Sequence, residues 1–376
     1  MTTKTSGGAL TAPPPSTAPA PSAPSRPPAS RRLVSALAFD KIGAVYVWIA
    51  IIILFSIWVP DTFPNAGTAK QILNTNAITG LAALAILIPL TARVFDLSFA
   101  FVMTLTGVIV AKLVTGGTPL VPALAIGVLV GVGIGLINAT VVVVMRIDSF
   151  IGTLATGSLI QALITMVTND TPVSSAALAG NFSKIGQTDI AGVTLPVFYC
   201  AIAAIAIWYL LEHTATGRRL YATGFNPDAA RLAGVPVNRL RFLSLVVSGT
   251  LAGVTGIVLA SILGSGSPTA GNPYLLPAFA AVFLGATQLK SGRFNAGGTI
   301  IAVLLLGTGT TGLALAAAPQ WSQAMFVGVV LIASLAVTGI QRRTTVTSRG
   351  SGVHGAGVSG TDQPGVATAT PLSDED

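Results

Sequence analysis

The chain has 376 residues, of which 52% are apolar and only 9% are charged, whereas a soluble domain carries about 25% charged residues. Together with a mean hydropathy of +0.78, this composition excludes an ordinary soluble globular protein. The net charge is +8, but the basic residues lie in short clusters between apolar runs. That distribution is typical of a membrane topology signal and argues against a nucleic-acid-binding surface.

Both ends of the chain differ in composition from its middle. Residues 1–30 are rich in Pro, Ala, Ser and Thr and contain few large apolar side chains, so they cannot bury enough surface to fold. We therefore predict a disordered cytoplasmic tail over 1–41, a transmembrane domain over 42–343 and a second disordered cytoplasmic tail over 344–376. The first apolar run, 42–59, is too long for the core of a cleavable signal peptide and predicts a retained helix.

The apolar runs predict an all-α polytopic membrane protein with about ten transmembrane helices, because about 20 helical residues cross a bilayer. The run at 275–289 is short and follows Gly271-Asn272-Pro273, so we expect a broken or re-entrant helix there. The predicted spans are 42–59, 76–92, 98–115, 119–138, 150–168, 194–212, 241–263, 275–289, 297–316 and 322–340.

Lysine and arginine predict the orientation of these spans. If the N-terminus is cytoplasmic, all but three of the 20 basic residues fall on the cytoplasmic side, the exceptions being Lys70, Lys112 and Lys184. An excess of basic residues marks the cytoplasmic side of bacterial membrane proteins. The pattern therefore predicts a multi-pass inner-membrane protein with both termini in the cytoplasm.

Two predicted spans carry glycines at helical spacing. Gly127, Gly131 and Gly135 repeat every four residues, and Gly249 and Gly253 follow the same spacing. Small residues let helix backbones approach closely in lipid. The pattern predicts tight helix packing, and the alternative is a helix that moves against its neighbour during transport.

Catalytic and energy-converting motifs are missing from the sequence. There is no Walker A sequence, no histidine pair at helical spacing and no cysteine cluster, so we predict no enzyme activity, metal or cofactor in this chain. Cys200 is the single cysteine and is predicted to be a small buried residue. Arg93 and Asp96 are placed beside a short turn, and no charged residue stands out within a span. If the protein moves a solute uphill, the energy has to come from another chain.

The longest predicted cytoplasmic loop, 213–241, contains a short helix with both ends marked. Asn226 suits the N-cap, Pro227 the first helical position, and Asp228 the positive end of the helix dipole, while Gly234 is a natural stop. So short a helix does not persist in water by propensity alone. We therefore expect it to dock onto a partner, with the membrane surface or the underside of the protein itself as alternatives.

This loop resembles the cytoplasmic loop of permease subunits of bacterial sugar ABC importers, the ribose/xylose/galactose class. The resemblance runs in colinear order from about residue 45 to 343, and it departs from the family at Val94-Phe95, where two glycines are usual. The matching stretches are TATGRRLYATGFNPDAARLAGV at 214–235, SGTLAGVTG at 248–256, DLS at 96–98, GLIN at 135–138, SFIGTL at 149–154 and GATQLKSGR at 285–293.

The resemblance implies a mechanism. Two permease copies form the pathway, separate ATPases that bind ATP and Mg²⁺ lie beneath them, and an extracytoplasmic binding protein delivers the solute. It also implies an inverted repeat relating spans two to five with spans seven to ten, and ATPase contacts through Arg218 and Arg219. The implied ATPase-coupling helix comprises Asn226, Pro227, Asp228, Ala229, Ala230, Arg231, Leu232, Ala233 and Gly234.

Four polar residues in or beside apolar runs are candidates for lining the pathway: Asp96, Ser98, Asn138 and Thr153. The alternative is that they join helices through hydrogen bonds. The resemblance implies a ribose- or xylose-like monosaccharide as cargo. A nucleoside, an amino acid or a signalling molecule carried by the same machinery remains an alternative, as does a carrier acting alone.

Overall fold

The computed structural model describes residues 1–3, 39–288 and 292–334. The chain forms two units, Met1–Phe39 and Asp40–Asp376, and the second contains the helical bundle. The predicted C-terminal tail, most of the predicted N-terminal tail and the end of the last predicted span lie outside the described residues.

Most described residues lie in α-helices, which confirms the all-α class. Four strands of two residues each form two small antiparallel pairs, in which β1 pairs with β4 and β2 pairs with β3. The helices are α1 (Phe39–Trp58), α2 (Ala66–Thr91), α3 (Phe99–Thr115), α4 (Leu120–Ala139, continued by a π-turn, Thr140–Val144), α5 (Ser149–Thr168), α6 (Asn181–Gln187), α7 (Leu195–His213), α8 (Ala215–Phe225), α9 (Pro227–Leu232), α10 (Val237–Leu263), α11 (Leu275–Gln288), α12 (Ala296–Leu315) and α13 (Gln320–Ser334). The strands are β1 (Val173–Ser174), β2 (Asp189–Ile190), β3 (Val193–Thr194) and β4 (Ser265–Gly266), and short 3-10 helices cover Ala176–Ala179 and Asn272–Tyr274.

Six helices in the described part of the chain are long and apolar enough to cross a membrane: α2, α4 with its π-turn, α5, α7, α10 and α12. Shorter apolar stretches occur in α1, α3, α11 and α13. Helix α11 has 14 residues, fewer than the about 20 that a straight span needs, in keeping with the short run expected there. The multi-pass character follows from these helices, while the count of ten spans and the inverted repeat stay predictions.

Helix α2 begins at Ala66, well before the predicted span at 76–92. Hydropathy did not detect its first turns, because they are polar and bind another segment of the chain through hydrogen bonds. The Asn65 side chain caps the helix by accepting a hydrogen bond from the Thr68 backbone. Lys70 Nζ donates to the Ala191 carbonyl at 2.7 Å, and Asn74 Nδ2 donates to the Gly192 carbonyl at 3.1 Å. These bonds fasten the β2–β3 hairpin, which precedes α7, to the start of α2.

The buried core is built around α2. In an apolar 18-residue stretch of each long helix, 78% of the residues are buried in α2 and 61% in α10 and α12. The buried share is only 28%, 33% and 22% in α4, α5 and α7. The exposed faces of these last three helices carry large apolar side chains such as Leu129, Leu159 and Ile202, as expected for surfaces that meet lipid. On its inner face, α7 places Cys200 against Gly80 of α2, and the thiol is buried, as predicted.

Helices α4 and α10 cross at the two glycine faces that the sequence indicated. A Cβ atom built on Gly131 would lie 2.6 Å from the Gly249 carbonyl oxygen, and one built on Gly249 would lie 2.6 Å from the Gly131 carbonyl oxygen. Real Cβ atoms essentially never approach another heavy atom so closely. The prediction of tight packing is confirmed, because only glycine fits at both positions of this crossing.

Candidate coupling and translocation sites

Asp96 lies in the segment between α2 and α3 and is wholly buried. Its Oδ1 accepts hydrogen bonds from the Ser98 backbone at 3.0 Å and from Ser98 Oγ at 2.7 Å. Its Oδ2 accepts a hydrogen bond from Ser248 Oγ of α10 at 2.7 Å. Asn138 Nδ2 of α4 donates to Ser98 Oγ at 2.7 Å. We call Asp96, Ser98, Asn138 and Ser248 the Asp96 cluster.

The Asp96 cluster unites three of the four residues that the sequence suggested as pathway candidates. Burying a carboxyl group is costly unless it is hydrogen-bonded, and the cluster supplies those bonds. The predicted short turn beside Asp96 is present. Arg93 lies in this turn, is exposed, and has a left-handed backbone conformation with φ of 55°. Sequence reasoning missed the burial and the partner Ser248, because that serine lies 152 positions away.

The fourth candidate, Thr153, holds the same segment from a different side. Thr153 Oγ1 of α5 accepts a hydrogen bond from the Leu97 backbone at 3.0 Å and donates to the Ser149 carbonyl at 2.7 Å. Ser149 Oγ accepts a hydrogen bond from the Phe95 backbone at 3.1 Å. All four candidates therefore join helices to the Asp96 segment, as the interhelical alternative anticipated, and their place in the pathway stays a prediction.

One polar atom of the Asp96 cluster accepts no hydrogen bond from the described residues. Asn138 is wholly buried, and its Oδ1 has no hydrogen-bond partner among the described residues. A buried acceptor without a donor is destabilising by about 1–3 kcal/mol. The cluster is therefore not saturated, and it can accept a further donor at this atom.

We expect Ser248→Ala to destabilise the folded protein by about 1–3 kcal/mol, because it removes a donor from a buried carboxyl group. Thermal unfolding in detergent micelles measures the effect. Ser158→Ala is the matched control, since Ser158 is exposed and donates only to the Leu154 carbonyl of its own helix. Equal melting temperatures for the two variants would contradict the structural importance of the Asp96–Ser248 bond.

The predicted cytoplasmic loop at 213–241 is largely helical, and besides the predicted short helix it contains α8, which was not predicted from the sequence. Helix α8 follows α7 after a single residue, Thr214, whose hydroxyl accepts a hydrogen bond from the Gly217 backbone at 3.1 Å. Helix α8 is amphipathic, with Leu220 buried and with Arg218 and Arg219 exposed. Gly224 lies directly against the Thr91 carbonyl at the end of α2, so α8 rests on the core of the bundle.

Helix α9 has the caps that the sequence predicted. Asn226 Oδ1 accepts hydrogen bonds from the backbones of Asp228 and Ala229, each at 3.1 Å. The helix ends at Leu232, and Gly234 follows with φ of 77°, a conformation that favours glycine. An ion pair joins Arg231 to Asp228 at 3.1 Å with both side chains largely exposed, so it contributes little to stability.

Two large apolar side chains stand out near α9, one at the last residue of α8 and one at the last residue of α9. Phe225 is 81% exposed and Leu232 is 92% exposed, whereas Ala230 is the buried residue of this helix. Leu232 therefore does not pack on the underside of the protein, which was one alternative for this helix. Sequence reasoning named Leu232 as one residue of the coupling helix and did not name Phe225, although both are apolar residues within a basic, polar stretch.

Basic residues gather at the end of the bundle that carries α8 and α9. Arg218, Arg219, Arg239 and Arg293 are exposed there. Lys70 and Lys112 lie at the other end, where their ammonium groups donate to the Ala191 and Val167 carbonyls. Among the described residues, no three His, Cys, Asp or Glu side chains are grouped in a way that could hold a metal ion.

Comparison with known proteins gives a consistent picture. Residues 68–335 match the family described as branched-chain amino acid transport system / permease component. The chain is 32% identical over 294 residues to the ribose import permease protein of Escherichia coli (strain K12), covering 77% of this chain and 91% of the relative.

Two further relatives extend the comparison. The ribose import permease protein of Bacillus subtilis (strain 168) is 32% identical over 293 residues, with 78% and 91% covered. The D-allose transport system permease protein of Escherichia coli (strain K12) is 29% identical over 303 residues, with 80% and 92% covered. No solved structure matches the chain significantly.

Proposed function

Because the chain belongs to the family of permease components of branched-chain amino acid transport systems, we propose that it carries a ribose- or xylose-like monosaccharide as the transmembrane subunit of an ABC importer. The family description refers to amino acids, but the relatives described above are named for ribose and D-allose. The resemblance to sugar ABC permeases read from the sequence is confirmed. The protein is not an enzyme, and ATP hydrolysis belongs to a separate ATPase subunit.

The observation that best supports an ATPase-driven importer is the defined geometry of α9 together with the exposed apolar side chains at its end and at the end of α8. The caps of α9 hold six residues in a helix, while Phe225 and Leu232 remain in contact with solvent. An amphipathic helix with apolar anchors is suited to the groove of a partner protein. Helices α8 and α9 together would thus receive the movement of the ATPase, with Arg218 and Arg219 available to pair with acidic residues beside its groove.

The chain is a multi-pass inner-membrane protein that works with an ABC ATPase and a binding protein. We place the α8–α9 end in the cytoplasm, together with both termini, because the exposed arginines cluster at that end. The exposed apolar faces of α4, α5 and α7 leave room for lipid and for a second copy of the chain, which would complete the pathway. ATP and Mg²⁺ would bind to the ATPase, and this chain would need no cofactor.

A second candidate cargo is a branched-chain amino acid, which is favoured by the family description alone. A nucleoside or a signalling molecule would use the same machinery. Each of these cargoes requires the same coupling helix, so α9 does not distinguish between them.

The proposal is tested by reconstituting the chain with its ATPase and binding protein in vesicles that contain ATP on the ATPase side. We expect ribose, xylose or D-allose on the binding protein to stimulate ATP hydrolysis and to drive accumulation of the sugar. Stimulation by leucine or adenosine alone would overturn the sugar assignment. Accumulation that proceeds without the ATPase would overturn the importer assignment and identify a carrier acting alone.

A further inference from the structure

Tyr221 of α8 is in contact with two other segments of the chain. Its hydroxyl donates a hydrogen bond to the Phe294 carbonyl at 2.8 Å and lies 3.3 Å from Glu212 Oε1 at the end of α7. The guanidinium carbon of Arg293 lies 4.0 Å from the centre of the Tyr221 ring, within the range of a cation–π interaction. One aromatic side chain therefore joins α7, α8 and the segment before α12.

The Tyr221 hydroxyl is available as a hydrogen-bond donor at neutral pH. Burial raises the pKa of Tyr221 above its ordinary value, and the Glu212 carboxylate raises the pKa further. The proton therefore stays on the hydroxyl, which can hold the Phe294 carbonyl throughout the physiological range.

The segment that Tyr221 holds is fixed to α12. Asn295 Oδ1 accepts a hydrogen bond from the Gly298 backbone at 2.7 Å and so caps α12. Asn295 Nδ2 donates to the Arg293 carbonyl at 2.9 Å. A displacement of residues 293–295 would therefore carry the start of α12 with it.

A series of ring contacts leads from this segment to the Asp96 cluster. Phe294 meets Phe283 of α11 edge to face at 5.7 Å, and Phe283 stacks on Phe279 at 6.3 Å. Phe279 in turn meets Phe99 edge to face at 5.9 Å. Phe99 is the first residue of α3 and directly follows Ser98 of the Asp96 cluster. Packed side chains of this kind can carry energetic coupling when the elements they join have two arrangements.

We infer that Tyr221 and Arg293, here called the clasp, are positioning residues that transmit a displacement of α8 and α9 to α11 and α12. The inference rests on the proposed function, because it requires an ATPase that moves α9. Helix α9 follows α8 with only Asn226 between them, so a push on α9 acts on α8 directly. The clasp then connects α8 to α11 and α12 through the segment 293–295.

The clasp is tested by the amount of cargo imported per ATP hydrolysed in the reconstituted complex. Tyr221→Phe keeps the ring and removes the hydrogen bond to the Phe294 carbonyl, and Arg293→Gln removes the cation above the ring. We expect each variant to lower the import ratio about fivefold while ATP hydrolysis continues. The double variant is expected to be no worse than either single variant, because both changes open the same connection.

Two controls separate coupling from a general loss of structure. Arg293→Lys keeps a cation over the ring and is expected to retain most of the import ratio. Tyr209→Phe alters a tyrosine of α7 that is 60% exposed and is expected to leave the ratio unchanged. Lost assembly of the Tyr221→Phe or Arg293→Gln complexes would overturn the inference, since it would show a structural role only.

The remaining outcomes are also decisive. Unchanged import ratios in Tyr221→Phe and Arg293→Gln, or losses that add in the double variant, would overturn the clasp and leave the importer assignment intact. Import of an amino acid by the wild-type complex would overturn the sugar assignment. The import ratio of the clasp variants would then be measured with that amino acid, with the same expected losses. Import without ATP hydrolysis would overturn both proposals.

Discussion

Replacing Leu232 by aspartate is expected to weaken binding of the ATPase about 10- to 100-fold. Burying a leucine side chain contributes about 1.5–3 kcal/mol, and each 1.4 kcal/mol is a factor of ten in affinity. Leu232 is 92% exposed and is not packed within its own chain, so the substitution should leave the bundle folded. Phe225→Asp is expected to act in the same direction. Binding of the purified variants to immobilised ATPase measures the effect.

Leu232→Met is the matched control, because it keeps an apolar side chain of similar volume and should bind within about twofold of wild type. The competing interpretation of α9 is a helix lying on the membrane surface. In that case Leu232→Asp would bind the ATPase as tightly as wild type, and the docking interpretation of α9 would have to be abandoned.

A Cβ atom at the crossing of α4 and α10 is expected to disrupt the fold. In Gly249→Ala, the added atom would lie 2.6 Å from the Gly131 carbonyl oxygen and 2.7 Å from the Gly135 Cα. These are backbone atoms, so the helices themselves must move apart. Overpacking of this kind costs about 1–3 kcal/mol, occasionally more, and we expect the upper end of that range. Thermal unfolding in detergent and the yield of monodisperse protein measure the loss.

Gly133→Ala provides an unusually close comparison for this prediction. Gly133 lies on α4 between Gly131 and Gly135, and a Cβ atom built on it meets nothing within 4 Å. The same chemical change on the other helix of the crossing, at a position that faces open space, should therefore be neutral. A melting temperature for Gly249→Ala as high as that of Gly133→Ala would show that the crossing tolerates separation.

Hydropathy located the apolar helices well, because a membrane span must satisfy its backbone hydrogen bonds internally and shield them with apolar side chains. Hydropathy failed where a helix leaves the apolar zone. The first turns of α2 contain Lys70 and Asn74, which bond to the hairpin before α7. These contacts join residues more than a hundred positions apart, so a local window cannot detect them.

Helix α8 escaped prediction for a related reason. Its apolar residues are few, and its buried positions include Gly217 and Gly224, which carry no hydrophobic signal. Gly224 is buried because it touches the Thr91 carbonyl. The neighbouring helix α9 was predictable, since its caps at Asn226 and Gly234 are local features.

The Asp96 cluster shows the same limit in the candidate site. Its residues could be named one by one as polar groups near apolar runs, but their arrangement could not be predicted. Asp96 contacts Ser248 across 152 positions, and Ser98 contacts Asn138 across 40. Such pairs follow from how α3, α4 and α10 pack, which depends on the glycine crossing.

The contact between α7 and α2 has a practical consequence for observing the transport cycle. Cys200 is the single cysteine of the chain, and its thiol is buried against Gly80, where water-soluble alkylating reagents cannot reach it. A spin label or fluorophore attached to a cysteine introduced at Ala215, which is exposed at the start of α8, would therefore be the single reporter on the protein. The native background needs no further substitution for distance measurements between two copies of α8.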